Sequence, residues 1–268
     1  MKKKFKLGVI GSGFMSRAII SGVIGSKILE ETDICVSDKF EDALSVYSNT
    51  SVTATTDNSF VVENSEFVLF AVKPQSLDEV LSSLVDCCPE KVISIMAGVK
   101  KDKFKNRFEQ VKIARCMPNT PCSLGSGAIG ADLSDFTDEQ DKDFIKSILS
   151  SLGVVVEVKE DLLNAVTGIS GSSPAYFYLF VKHLVESGVK QGLSYEDAEN
   201  LAAATMIGSG KMILKNKDKT LDELIKAVCS KGGTTIEAVN VFENEDLGGT
   251  VQKAVDACVR RSKELENL

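Results

Sequence analysis

Residues 7–16 read Leu7-Gly8-Val9-Ile10-Gly11-Ser12-Gly13-Phe14-Met15-Ser16, an apolar run followed by a glycine turn and the start of a helical pattern. Few backbones accommodate that order. The apolar run reads as a buried first strand. Gly11 permits a tight turn and Gly13 lets the backbone come close to a ligand. The third small position of the pattern is Ser16 rather than glycine or alanine, still small enough to keep helix and strand together. The helix that opens near Met15 presents unpaired N–H groups and its positive dipole end, which suit a pyrophosphate. A glycine-rich strand-to-helix turn by itself is common. Placed after the first strand of a repeating strand–helix pattern, it points to dinucleotide binding.

That pattern continues through the first part of the chain. Short apolar runs at 6–10, 33–36, 67–72, 92–96, 112–116 and 154–158 alternate with helical spacing at 17–25, 78–87 and 139–152. Continuous apolar strands separated by helices indicate a parallel sheet covered on both faces. This is the doubly wound, Rossmann-like architecture, which binds ligands at the carboxyl ends of its strands. After about Glu160 strand-like runs stop, and helical stretches follow at 174–188, 195–217, 221–229, 235–244 and 247–265. Pro174 suits a first helical turn, and Ser194-Tyr195-Glu196-Asp197 resembles a capped helix start. The expected fold is α/β, with a dinucleotide-binding domain over 1–160 and an all-helical domain over 161–268. The stretch Ala175-Tyr176-Phe177-Tyr178-Leu179-Phe180-Val181 is apolar all round. A helix of that kind must be buried, and a second subunit is the simplest cover in so small a domain. A homodimer with interleaved helices is expected.

Composition narrows the function. With 31 basic and 38 acidic residues the net charge is -7, which argues against nucleic-acid binding. The seven cysteines are odd in number and lack zinc-site spacing, and His183 is the single histidine, so no metal site is expected. The cysteines read as reduced and mostly buried, as in a cytoplasmic protein. Lys2, Lys3 and Lys4 precede an apolar stretch, but it is too short for a signal peptide and breaks at Gly11. No apolar run approaches a membrane span. His183 falls mid-helix and reads as structural or exposed. Tyr176 and Tyr178 read as core aromatics.

Asp38 ends the second strand, where an acidic residue commonly binds the ribose hydroxyls of NAD, while Lys39 beside it suits the extra phosphate of NADP. The two readings pull in opposite directions, a third makes both solvated turn residues, and both NADP(H) and NAD(H) stay open. Further landmarks follow. Ala71-Val72-Lys73-Pro74 closes the strand at 67–72, Met117-Pro118-Asn119-Thr120-Pro121 follows a later one, and Ser170-Gly171-Ser172-Ser173-Pro174-Ala175-Tyr176 opens the helical region. The last is Ser230-Lys231-Gly232-Gly233-Thr234-Thr235-Ile236-Glu237-Ala238. In order and spacing these resemble the pyrroline-5-carboxylate reductase family across nearly the whole chain, the final segment being the most specific.

The resemblance implies NAD(P)H-dependent reduction of 1-pyrroline-5-carboxylate to L-proline, the final step of proline biosynthesis. It places the dinucleotide across Gly11, Ser12, Gly13, Phe14 and Met15. Asn58, Ala71, Val72, Lys73, Pro74, Ala97, Gly98 and Asn119 would surround the ribose and nicotinamide. Ser230, Gly232, Gly233, Thr234 and Thr235 would hold the substrate, whose carboxylate suits an amide nest at a helix start. The Thr235 hydroxyl would bond the ring nitrogen as hydride reaches the adjacent carbon. An imine is readily protonated near neutral pH, so no strong side-chain acid is required, and Thr235 would serve as an orienting group and a proton relay. The resemblance further implies a homodimer, or a higher homo-oligomer such as a decamer, with sites built from two chains. Lys231 departs from the family, which usually has proline there. Lysine restores an N–H donor, adds a charge and frees φ.

Two competing readings stand beside this one. The β-hydroxyacid dehydrogenases resemble G-x-x-G-x-G-x-x-x-K-x-x-x-N at the start of their long helix. Gly168 and Gly171 fit, but Ser173, Phe177 and Val181 stand at the third glycine, the lysine and the asparagine. The group needed to take a hydroxyl proton is missing. The other is a non-catalytic nucleotide-binding paralogue, against which the complete Gly232–Thr235 turn speaks.

Overall fold

The structure, a computed structural model, describes residues 4–266. Two compact units are present, one running to Pro174 and taking in the chain again from Cys258, the other covering Ala175–Ala257. In the first, eight strands form one sheet: β1 Phe5–Ile10, β2 Ile34–Ser37, β3 Thr53–Thr55, β4 Ser65–Phe70, β5 Lys91–Ser94, β6 Lys112–Met117, β7 Gly127–Asp132 and β8 Gly153–Glu157. Their order is β3-β2-β1-β4-β5-β6-β7-β8. Every pairing is parallel except β6 with β7, so β7 and β8 run against the other six. The first six strands thus have the doubly wound order of a dinucleotide fold.

The connecting helices are α1 Phe14–Gly25, α2 Glu41–Leu44, α3 Asn58–Asn64, α4 Leu77–Ser83, α5 Lys101–Lys105, α6 Glu139–Ser150 and α7 Leu163–Val166. One face of the sheet buries Leu7, Val9, Phe67 and Leu69 against Ile19, Val23, Phe136 and Ile148. The other buries Phe70, Val92 and Ile113 against Leu77, Leu81 and Phe104. Central strands buried on both faces explain the unbroken apolar runs.

Two strands lay outside the sequence expectation. β3 is a three-residue edge strand, too short to show a period. β7, Gly-Ala-Ile-Gly-Ala-Asp, is small-residue rich because larger side chains do not fit. A Cβ at Gly130 would lie 2.6 Å from Val166, and one at Gly127 would overlap Cys122 Sγ. The helix expected to reach residue 87 stops at Ser83, where the Arg107 guanidinium donates to the Leu84 carbonyl at 2.6 Å. Pro89 downstream also disfavours continuation.

Where α5 meets β7, Lys101 Nζ, almost wholly buried, lies 2.5 Å from Asp132 Oδ1, 3.0 Å from Ser134 Oγ and 3.2 Å from Asp135 Oδ1. Burial opposes the Asp132 charge, but hydrogen bonds from Lys101 and Ser134 outweigh it and lower its pKa. The same balance lowers Glu66, through Lys6 and Lys91, and Glu266, through Arg115 and Asn164. Groups whose folded pKa is lowered contribute stability above their unfolded values, and that stability disappears as pH falls through the folded values. Urea melts should therefore be nearly constant from about pH 7 to about pH 5 and weaken steeply below about pH 4. Asp132→Asn should flatten that acid limb. An unchanged limb would mean that this carboxylate is not held by Lys101.

The second unit is built from α8 Ser173–Lys190, which starts in the first unit, then α9 Tyr195–Lys215, α10 Leu221–Val228, α11 Thr234–Asn244 and the first part of α12 Leu247–Leu265. Ser194 caps α9 by accepting from Asp197 N at 3.0 Å. Thr220 and Glu223 form a reciprocal capping box on α10. α8 and α9 approach closely at Gly188, where a Cβ would meet Ala198 at 3.1 Å.

Candidate functional site

β1, β2, β4, β5 and β6 all end on one edge of the sheet, and the loops leaving them gather most of the candidate cofactor residues. Gly11 turns with φ +102, a value that side-chain-bearing residues rarely adopt. A Cβ there would come within 3.0 Å of the Ala71 carbonyl group and of Val72. The glycine turn therefore seats directly on Ala71-Val72-Lys73-Pro74, and Ala71 N donates to Ile10 O at 2.9 Å. Gly13, the N-cap of α1, has nothing within 4 Å of where its Cβ would be. Phe14 and Met15 form the first turn of α1, whose amides open onto that space.

Asp38 follows β2, and its carboxylate is fixed rather than free. Oδ2 accepts from Ser12 N at 2.7 Å and Oδ1 from Phe40 N at 3.0 Å. Lys39 is exposed and pairs with Glu79 at 2.9 Å. Asn58, first residue of α3, accepts from Ser37 Oγ at 2.7 Å and donates to Ser83 Oγ at 3.2 Å. Lys73 is exposed and Pro74 begins a short 3-10 turn. Ala97 and Gly98, the latter with φ +72, turn between β5 and α5.

Asn119 is buried after β6. Its Oδ1 accepts from Ala128 N at 3.0 Å and its Nδ2 donates to Ser170 O at 3.1 Å. Both ends of that amide are used inside the protein, so its side chain is built to hold loops together.

Arg17 is the residue that sequence reading missed. Its Nε donates to Ser12 O and its Nη2 to Ala43 O, both at 3.0 Å. It lines an open cavity of about 420 Å³ with Ser12, Gly13, Phe14, Ala18 and Ser123. A basic residue one turn into a helix behind a glycine loop was the available signal. Such a cation beside the amino-terminal amides of α1 adds to the anion-binding character of the loop.

In the helical unit, Ser230-Lys231-Gly232-Gly233 forms a turn closed by Gly233 N donating to Ser230 O at 3.0 Å. Gly232 has φ +71 and Gly233 is the N-cap of α11, so Thr234 and Thr235 lie in the first helical turn. Ser230, Lys231, Gly232, Thr234 and Thr235 are exposed. Among the described residues the Thr235 hydroxyl forms no hydrogen bond. The turn thus presents first-turn amides, a positive dipole end and a free hydroxyl together, a combination that suits a small carboxylate.

Comparison with known proteins decides the family. Residues 160–265 match the model described as pyrroline-5-carboxylate reductase dimerisation, and residues 6–98 match NADP oxidoreductase coenzyme F420-dependent. Pyrroline-5-carboxylate reductase of Haemophilus influenzae is 36% identical over 98% of both chains. That of Synechocystis is 37% identical over 97% of this chain and 98% of its own. This chain belongs to the pyrroline-5-carboxylate reductase family. The structure of the Coxiella burnetii reductase superposes with a TM-score of 0.89 at 32% identity, covering 98% of this chain and 99% of that one. A Plasmodium falciparum reductase with NADP bound gives 0.83 at 30%, covering 99% and 100%. The chain is accordingly an NAD(P)-dependent oxidoreductase with a Rossmann-like domain followed by a dimerisation domain.

Within this reductase-family chain, His183 is exposed on α8, its Nδ1 3.0 Å from Glu186 Oε2. The expectation that the cysteines are mostly buried is corrected. Only Cys35, Cys116 and Cys122 are buried, Cys87, Cys229 and Cys258 are partly covered, and Cys88 is exposed. Burial raises the thiol pKa of Cys35 to about 11 and of Cys116 to about 12, leaving both unreactive. Tyr178 is 61% exposed, so it is not core within the single chain. No helix among the described residues is long and apolar enough to cross a membrane.

Proposed function

We propose that this chain reduces 1-pyrroline-5-carboxylate to L-proline with NAD(P)H, as the last step of proline synthesis, in the cytoplasm. The observation that carries this reading is the Gly232–Gly233 turn, which leaves the α11 amides and the Thr235 hydroxyl open in a chain that also has the Gly11–Gly13 loop.

A dinucleotide fits the sheet edge. The space beyond Gly13 admits a pyrophosphate against the first-turn amides of α1, with Ser12, Phe14, Met15 and Arg17 around it. Asp38 and Lys39 sit at the adenosine ribose, and Asn58, at the start of α3, supports that end by accepting from Ser37 Oγ of β2. Ala71, Val72, Lys73, Pro74, Ala97 and Gly98 surround the ribose and nicotinamide, while Asn119 keeps its loop fixed beneath them. When bound, the reduced nicotinamide supplies the hydride. Gly232, Thr234 and Thr235 donate backbone N–H groups to the substrate carboxylate, while Gly233 N closes their turn on Ser230 O. Thr235 orients the ring nitrogen and passes a proton to it from solvent. With both ligands held in place, much of the entropy cost of their encounter is met by binding. The region from residue 161 holds substrate and partner, and the assembly is a homodimer with interleaved helices or a multiple of it, such as a decamer.

The test is NADH and NADPH oxidation with racemic pyrroline-5-carboxylate, beside a panel of 2-oxo and hydroxy acids. Imine-specific oxidation with proline as product supports the reading. Tight nucleotide binding without turnover would instead favour the non-catalytic paralogue.

Cofactor choice gives a sharper prediction. The Asp38 carboxylate is held by two backbone donors and so stays where an added ribose phosphate would be repelled. Asp38→Ala should raise the NADPH:NADH ratio of kcat/KM about tenfold, the scale of one like-charge contact near a surface. Asp38→Asn, which retains an acceptor for Ser12 N, should move the ratio the same way. An unmoved ratio in both variants would show that the ribose does not lie at Asp38.

A further inference from the structure

The turn Met96-Ala97-Gly98-Val99 is held from a distant part of the chain. Arg115, on β6 beside Ser94 of β5, is 4% exposed. A buried guanidinium requires partners. Its Nη1 lies 3.1 Å from Glu160 Oε1, and its Nη2 lies 2.8 Å from Glu266 Oε1, 151 positions along the chain. The same two carboxylates hold the residues that leave the turn. Glu160 Oε1 accepts from Lys101 N at 2.8 Å, and Glu266 Oε2 lies 3.4 Å from Lys100 Nζ. Two cations and two anions thus balance, and between them they anchor the far end of the Ala97–Gly98 turn.

The last residues of α12 also touch the turn itself. A Cβ on Gly98 would meet Leu265 Cβ at 3.1 Å, so the glycine is needed both for its φ of +72 and for this close approach. A cavity of about 510 Å³ has Pro74, Ala97 and Gly98 on its lining together with Leu265 and Glu266. Further back, Ser262 Oγ, buried, donates to Asn164 Oδ1 at 2.6 Å, which sets the end of α12 against α7. The register of this helix end is therefore fixed by side chains rather than by simple apolar contact.

We propose that the carboxy-terminal end of α12 is a positioning element of the cofactor site, with Glu266 acting through Arg115 and Lys100, and Leu265 through Gly98. The proposal rests on the assignment of Ala97 and Gly98 to the nicotinamide end of the dinucleotide. Leu265 and Glu266 touch neither the hydride donor nor the imine. They set the turn that does.

The test is direct titration of NADPH and NADH into the full-length protein and two variants, followed by nucleotide fluorescence, with kcat and both KM values measured in parallel. One variant is Glu266→Gln, which keeps an acceptor toward Arg115 but loses its charge. The other ends the chain after Glu264. Glu266→Gln should raise the nucleotide Kd about threefold to tenfold, the effect of one charge-assisted contact, and the truncation should raise it further. The kcat at saturating nucleotide should stay within about twofold and the imine KM should not move, a split that follows from cofactor positioning. A merely structural helix end would lower the melting temperature and the active fraction while leaving the Kd of the folded protein unchanged. That result in both variants overturns the proposal. Because nucleotide binding is read without the imine, it is separate from the failure of the reductase reading, which would appear as no imine-dependent oxidation by the unaltered chain.

Discussion

Thr235→Ala is expected to lower kcat/KM for the imine by about tenfold to a hundredfold, the equivalent of about 1–3 kcal/mol of transition-state stabilisation from one hydrogen bond. The expectation comes from where the residue sits. Thr235 is exposed in the first turn of α11, immediately after Gly232 and Gly233, and its hydroxyl has no partner among the described residues. Removing it should leave the fold untouched, since the residue is exposed. The melting temperature and the nucleotide Kd should stay the same, and Thr235→Ser, which keeps the hydroxyl, should recover most of the rate. Near-full activity in Thr235→Ala would remove the residue from the mechanism and leave the α11 amides as the sole substrate anchor. Lys231 bears on the same turn. It is exposed beside Gly232, and Lys231→Pro tests whether its free N–H and charge alter carboxylate affinity.

Leu179→Glu should have a still larger effect, abolishing the homo-oligomer. Phe177, Tyr178, Leu179 and Phe180 are 55%, 61%, 57% and 45% exposed, so four successive residues of α8 show apolar surface in every direction. In the Ala175–Ala257 unit only Val185 and Ala198 are buried among the described residues. A unit with so little core of its own must be completed by another chain, and residues 160–265 match a dimerisation family. Burying one leucine side chain is worth about 1.5–3 kcal/mol, and an unpaired carboxylate in its place costs several more. Two-fold symmetry counts each change twice. Light scattering should then show monomer or aggregate, with little imine-dependent oxidation. A stable active dimer would place the contact surface on another face of the helices.

The parts of the fold legible in sequence were those with a period or a motif. Buried parallel strands announce themselves as unbroken apolar runs, and β1, β2, β4, β5, β6 and β8 were all expected. The glycine turn was legible because only glycine tolerates the Gly11 conformation, and Ser194 because a cap needs a side-chain oxygen at one position. β7 was not legible. Its glycines answer to Val166 and Cys122, which pack on it from elsewhere in the chain. The true end of α4 depends on Arg107, more than twenty positions away.

The same division holds at the site. By itself the sequence determined the family, the two kinds of domain, the Gly11–Gly13 turn and the Gly232–Thr235 turn, because both turns rest on residue types that local backbone geometry demands. Only the tertiary structure decided that Arg17 clamps the glycine loop, that Asp38 is tied to Ser12 and that Asn119 spends its amide on Ala128 and Ser170. It alone joined Arg115 to Glu266 across more than half the length of the chain. These are contacts between side chains with no period and no fixed spacing. Their partners are chosen by which strand ends and helix ends the sheet order brings together, and by the cost of leaving a buried charge or amide unpaired.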